Sequence, residues 1–286
     1  MDRITCTTLA CGKQTRIRGS VLLLVLVVIL LAFVLPACTP HGAATFRNFN
    51  IVSTEQEVEI GKKFSQEVNK QYPLLRDGAV TGYIEELGQA VVAVSDRQDI
   101  TYHFHVTESD EVNAFALPGG FIYVNRGLIL KAENEAELVS VLAHETGHIA
   151  ARHTAEHISK SWGLDLISSL LLGEQPDFWA SQAVNLFGTA GLLAFSRADE
   201  TEADLLGLRY MYRAGYDPQA MVTFLEKILA ERERRPGAVE QFFSTHPLTE
   251  DRIRRVEDEI RALPYRPDTL SDTTTFHRIQ RRLQSS

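Results

Sequence analysis

Cysteine is scarce in this sequence. Three occur in 286 residues, Cys6, Cys11 and Cys38, too few and too clustered for a disulfide framework. There is no Lys/Arg-rich block either. The 29 basic residues are scattered among 37 acidic ones for a formal charge of -8, and this excludes a nucleic-acid footprint. No apolar run reaches the roughly 20 residues of a comfortable membrane-spanning helix, and no internal repeat is present. What the chain does have is a hydrophobic content of 44%, ample for a packed core.

The N-terminus carries an export pattern. Arg3, Lys13, Arg16 and Arg18 precede an unbroken apolar run from Val21 to Leu35, followed by Pro36-Ala37-Cys38, the order of a signal peptide. The segment LPAC resembles a bacterial lipobox, which implies lipidation of Cys38, the first residue of the mature chain, and removal of Cys6 and Cys11 with the signal. Thr39 stands where Asp would favour retention at an inner membrane. The expectation is an exported protein, lipid-anchored to the outer membrane and facing the periplasm.

Residues 39 to about 50 read as a flexible tether. Thr54 and Glu57 form a capping-box pattern opening a helix to about Lys70, and a second helix is expected from about Asp77 to Val94. Tyr102, Phe104 and Val106 alternate with His103 and His105, predicting a strand with one buried face and the two histidines on a solvated one. Asn113 to Ile129 reads as two short strands bent at Pro118-Gly119-Gly120 and followed by a helix. A long helix is expected from Glu135 past His148. Two apolar helical pieces are expected over residues 162–195, then helices over Glu200–Tyr212, Pro218–Arg234 and Glu250–Ala262. The fold class is thus α+β and mainly helical, with a small β-sheet. Its divisions are an export segment 1–37, a tether 38–53, a domain 54–262 and a C-terminal tail or short helix 263–286.

The chemistry sits in His144-Glu145-Thr146-Gly147-His148, a match to H-E-x-x-H. Histidines four apart on a helix project from one face and can grip one metal ion, while the intervening glutamate addresses water. Two imidazoles and a borderline-soft site favour zinc. An extended H-E-x-x-H-x-x-G-x-x-H is excluded, because Ala151 and Thr154 occupy its later positions. A third ligand must come from elsewhere, and Glu200 in SRADETEAD is the best candidate, with Asp204 one turn on to orient a ligand.

These residues, together with NAFALPGGFIYVNRGL before them and THPLTEDRI after them, resemble peptidase family M48. The resemblance is closest to exported lipoprotein members without repeats and covers about Thr54 to Ile260. It implies a zincin fold of the gluzincin type and one zinc ion per chain. His144, His148 and Glu200 are the implied ligands and Glu145 the implied general base, with Asp204 supporting the ligands. It further implies polypeptide substrates laid along an edge strand at Asn113-Ala114, hydrolysis of misfolded envelope proteins, and a possible link to outer-membrane assembly machinery.

His246 of the T-H-P loop stays open between a fourth ligand that blocks water, a donor to the oxyanion and a helix-capping loop residue. His153-Thr154-Ala155-Glu156-His157 fits the inverted signature H-x-x-E-H. On a continuing helix, however, His153 turns about 140° from the first site and reads as a packing position. A rival function is a chaperone or assembly factor whose zinc is purely structural. Such a zinc should be closed by four protein ligands.

Overall fold

The first helix starts one residue earlier in its capping logic than Thr54 and Glu57 predict. The Ser53 hydroxyl accepts the Gln56 N–H at 3.2 Å, and the Gln56 side chain accepts the Ser53 N–H at 2.9 Å. This box opens α1, Thr54–Gln71. Glu57 is freed from capping and lies buried, paired with Arg97 at 2.9 Å and Arg152 at 2.8 Å. The computed structural model describes residue 50, residues 52–160 and residues 195–285. The export segment, Cys38, the tether to residue 49 and the apolar pieces over 162–194 lie outside these described residues. Among the described residues, no helix is long and apolar enough to cross a membrane.

Helix α2, Gly78–Val92, is capped by Asp77, whose carboxylate accepts the Ala79 and Val80 amides. Its Val80, Ile84, Leu87 and Val91 recur at helical spacing and enter the core. Three strands follow: β1, His103–Thr107, β2, Ala114–Leu117, and β3, Phe121–Asn125. Their order is β1-β3-β2, with β1 parallel and β2 antiparallel to β3. The β2–β3 bend uses Gly119 at φ 73°, a left-handed conformation that costs glycine nothing.

Both sheet faces are covered, because side chains alternate along a strand. Ile122 and Val124 face the main core, whereas Phe121 and Tyr123 face Ile60, Phe64 and Val68 of α1. The solvated-face reading holds for His103, which is exposed, and is corrected for His105, which is half-buried. His103 stacks on Phe121 at 4.8 Å, and His105 is half-buried against Tyr123 at 4.8 Å.

After α3, Arg126–Lys131, the central helix α4 spans Glu135–Ala150. It ends at Arg152, which adopts φ 61°, and a new helical stretch runs over 153–160. The remaining helices are α5, Arg197–Arg213, α6, Gln219–Arg234, α7, Glu240–Thr245, α8, Glu250–Ala262, and α9, Thr274–Gln284. The last is firmly docked: Phe276, Ile279 and Leu283 are buried in the main core.

Candidate metal centre

Helix α4 carries His144, Glu145 and His148. It is wrapped on all sides, from an Asn134 cap that accepts the Glu137 amide at 2.9 Å to a C-terminal end where Arg97 donates to the Ile149 carbonyl at 2.9 Å. Helix α5 crosses it at close range because glycine stands at both contact points. A Cβ on Gly147 would lie 2.8 Å from the Ala203 carbonyl oxygen, and one on Gly207 would lie 2.8 Å from the His144 nitrogen. Two bare backbones thus replace side chains where the helices meet, and Glu200 is carried to the imidazoles.

The geometry is convergent. His144 Nε2 and His148 Nε2 are 3.0 Å apart, and Glu200 Oε1 is 3.3 Å from His148 Nε2. His246, just beyond α7, brings Nδ1 to 3.4 Å from His144 Nε2 and 3.0 Å from Glu200 Oε1. Tetrahedral zinc with nitrogen ligands at about 2.0–2.1 Å sets its ligands about 3.3 Å from one another, which matches these separations. Donor chemistry fits as well: His144, His148, Glu200 and His246 are all buried and lie within 4.8 Å of one another. The group is positioned to bind a metal ion, in a mainly helical α+β frame of zincin type.

A family model for peptidase family M48 matches residues 79–260. The chain belongs to this family. Members of M48 use zinc, in keeping with the donor set. The chain is similar to the beta-barrel assembly-enhancing protease of Escherichia coli, 33% identical over 235 residues that cover 79% of this chain and 48% of that protein. It is 31% identical over 238 residues to the protein of the same name from Yersinia pestis, covering 80% of this chain and 49% of that one. It is also 36% identical over 215 residues to the mitochondrial metalloendopeptidase OMA1 of Schizosaccharomyces pombe, covering 74% and 63% respectively. The chain therefore spans about half the length of these bacterial relatives.

His144, His148 and Glu200 of this M48 site each have a buried partner. His144 Nδ1 meets Asp204 Oδ1 at 2.9 Å. His148 Nδ1 meets His153 Nδ1 at 3.0 Å, which corrects the expectation that His153 turns away. The helix does not continue, and the left-handed Arg152 swings His153 back against His148. Glu202 is exposed, 3.6 Å from His153. Arg252 pairs with both Glu200 and Asp204. Neither Arg252 nor the role of His153 was drawn from sequence. Arg252 lies in a charged run that reads as a solvent face, and only its place in THPLTEDRI marks it.

Burial pushes the Glu145 carboxyl up, with His246 and His144 pulling the other way. Its Oε2 has no hydrogen-bond partner among the described residues, and Oε1 lies 3.5 Å from His246 Nε2. Burial likewise holds His148 well below the usual imidazole range, the neutral form a metal requires. For Glu200 the burial penalty is outweighed by His246 and Arg252, which keep the carboxyl well below its usual range and ionised. Asn113 and Ala114 are buried at the head of β2, whose Ala116 amide reaches the Glu145 carboxyl.

Proposed function

We propose that this chain is a zinc metalloendopeptidase that hydrolyses peptide bonds of misfolded or misassembled envelope proteins. The observation that carries the reading is a buried Glu145 with one unpartnered oxygen, beside two imidazoles and a carboxylate that converge. His144, His148 and Glu200 would hold the ion, and Asp204 and His153 fix the imidazole rings, as partners of metal-bound histidines do. When bound, zinc supplies a Lewis acid that polarises the scissile carbonyl and acidifies water near neutral pH. Glu145 takes the proton from the attacking water and returns it to the departing amine. Strand β2, at the sheet edge among the described residues, offers Asn113 and Ala114 for main-chain pairing with an extended substrate, a mode with modest sequence preference.

The export pattern and LPAC segment support a lipid on Cys38, placing the domain at the outer membrane and facing the periplasm. The division is then a signal over 1–37, a tether over 38–53, the peptidase over 54–262 and a C-terminal segment over 263–286. Similarity to proteins named for β-barrel assembly supports envelope clients and a partner in outer-membrane assembly machinery.

His246 is the fourth ligand in this reading and holds the site closed. Its presence also favours a second reading, a non-enzymatic assembly factor, since four protein donors are what a structural zinc has. Casein cleavage by the mature chain separates the two. Glu145→Gln should abolish it, and His246→Ala should raise it. A fall of about 100-fold in His246→Ala would instead make His246 an oxyanion donor, and equal cleavage by Glu145→Gln and the unaltered chain removes the enzyme reading.

A further inference from the structure

The guanidinium of Arg252, in the first turn of α8, is 3% exposed and spends every face on the metal centre. Its Nε and Nη2 meet the two oxygens of Asp204 at 2.7 and 2.8 Å. Its Nη1 meets Glu200 Oε2 at 2.6 Å and the Pro247 carbonyl at 3.1 Å. Three parts of the centre are therefore gripped at once: the carboxylate ligand, the carboxylate behind His144, and the main chain next to His246.

The Glu200 carboxylate shows what this grip does. Oε2 lies against the Arg252 cation as an ion pair, without accepting a hydrogen bond, and is 3.6 Å from His144 Nε2, whereas Oε1 is turned to His148 and His246. Pro247 follows His246 directly, so the same contact ties the histidine loop to α5. We infer that Arg252 is the positioning residue of the centre, presenting one oxygen of Glu200 to the ion and latching the His246 loop against it. This rests on the zinc-site reading above.

Charge and position make opposite forecasts, which gives the inference its test. Arg252 is a cation beside a cation site, so deleting its charge alone should tighten zinc binding. Losing the fork should weaken it, because Glu200 and the His246 loop are no longer held. Lysine retains the charge but cannot reproduce a planar fork that binds a carboxylate with two donors.

Zinc affinity of the full mature chain, Arg252→Met and Arg252→Lys is measured by competition with a chromogenic chelator, alongside hydrogen exchange of residues 244–249. Both variants should bind zinc about 10–100-fold more weakly and exchange faster in that loop, with unchanged helix content by circular dichroism. If Arg252→Met does not fold, Arg252→Lys carries the test. Affinity and exchange in Arg252→Lys equal to the unaltered chain would overturn the inference, as would tighter binding in Arg252→Met. If the unaltered chain binds no stoichiometric zinc, the metal-centre reading falls and the inference with it, an outcome distinct from the other two.

Discussion

His246 stands between Glu145 and Glu200, where a proton and a metal ion compete for the same place. Burial opposes charge on this imidazole, but Glu200 and Glu145 outweigh it and lift the pKa to about 9. A divalent ion would supply that positive charge and release the proton. The folded value lies above the ordinary value of about 6.5. In metal-free protein, the stabilisation is therefore complete below about pH 6.5 and is lost as pH rises through about 9. Urea midpoints of chelator-treated protein should fall across that window, and His246→Gln should flatten the fall. An identical slope in the variant would assign it to other groups. His144, Glu145, His148, Glu200 and Asp204 were legible in the sequence because each sits at helical spacing from a partner. The roles of Arg252 and His153 were not, since their targets lie on other elements: Arg252 sits in a charged run, and His153 opens an inverted signature that points to a different site.

At the scale of elements, the centre is a crossing of two helices at Gly147 and Gly207. Gly207→Ala should cost about 1–3 kcal/mol through overpacking, because its Cβ would meet main-chain atoms of Ala143 and His144 at 2.8–3.0 Å. Zinc affinity should fall with it as Glu200 is pushed away. Gly82→Ala in α2 is the matched control, with nothing within 4 Å of its Cβ, and it should be neutral or stabilising in thermal melts. Equal behaviour of the two would reject the close-crossing argument. Element order was readable from periodicity and from turns such as Pro118–Gly120. The break after α4 was not, because a left-handed arginine carries no Gly or Pro signal; its conformation is held by the Glu57 pair on α1. The short α7 was hidden by its length.

For the whole molecule, the C-terminal segment left open between a loose tail and a short helix is a working part of the core. Phe276 is fully buried, and Gln280 donates to the Ile129 and Ala132 carbonyls at 3.0 and 2.7 Å. Phe276→Ala should destabilise the protein by about 3–5 kcal/mol, read as a lowered urea midpoint; a loss under about 1 kcal/mol would mean that α9 is dispensable. The amphipathic spacing of Phe276, Ile279 and Leu283 was present in the sequence, but flanking polar residues masked it.

The donors lie far apart along the chain. His246 is 102 residues from His144 and 46 from Glu200. A polypeptide still being made has therefore not gained its full donor set before residue 246 has emerged, and Arg252 follows six positions later. A fragment that stops short of α8 therefore lacks Arg252, and one that stops before residue 246 also lacks the histidine that closes the site in this reading, so the centre is complete only when α8 has been made.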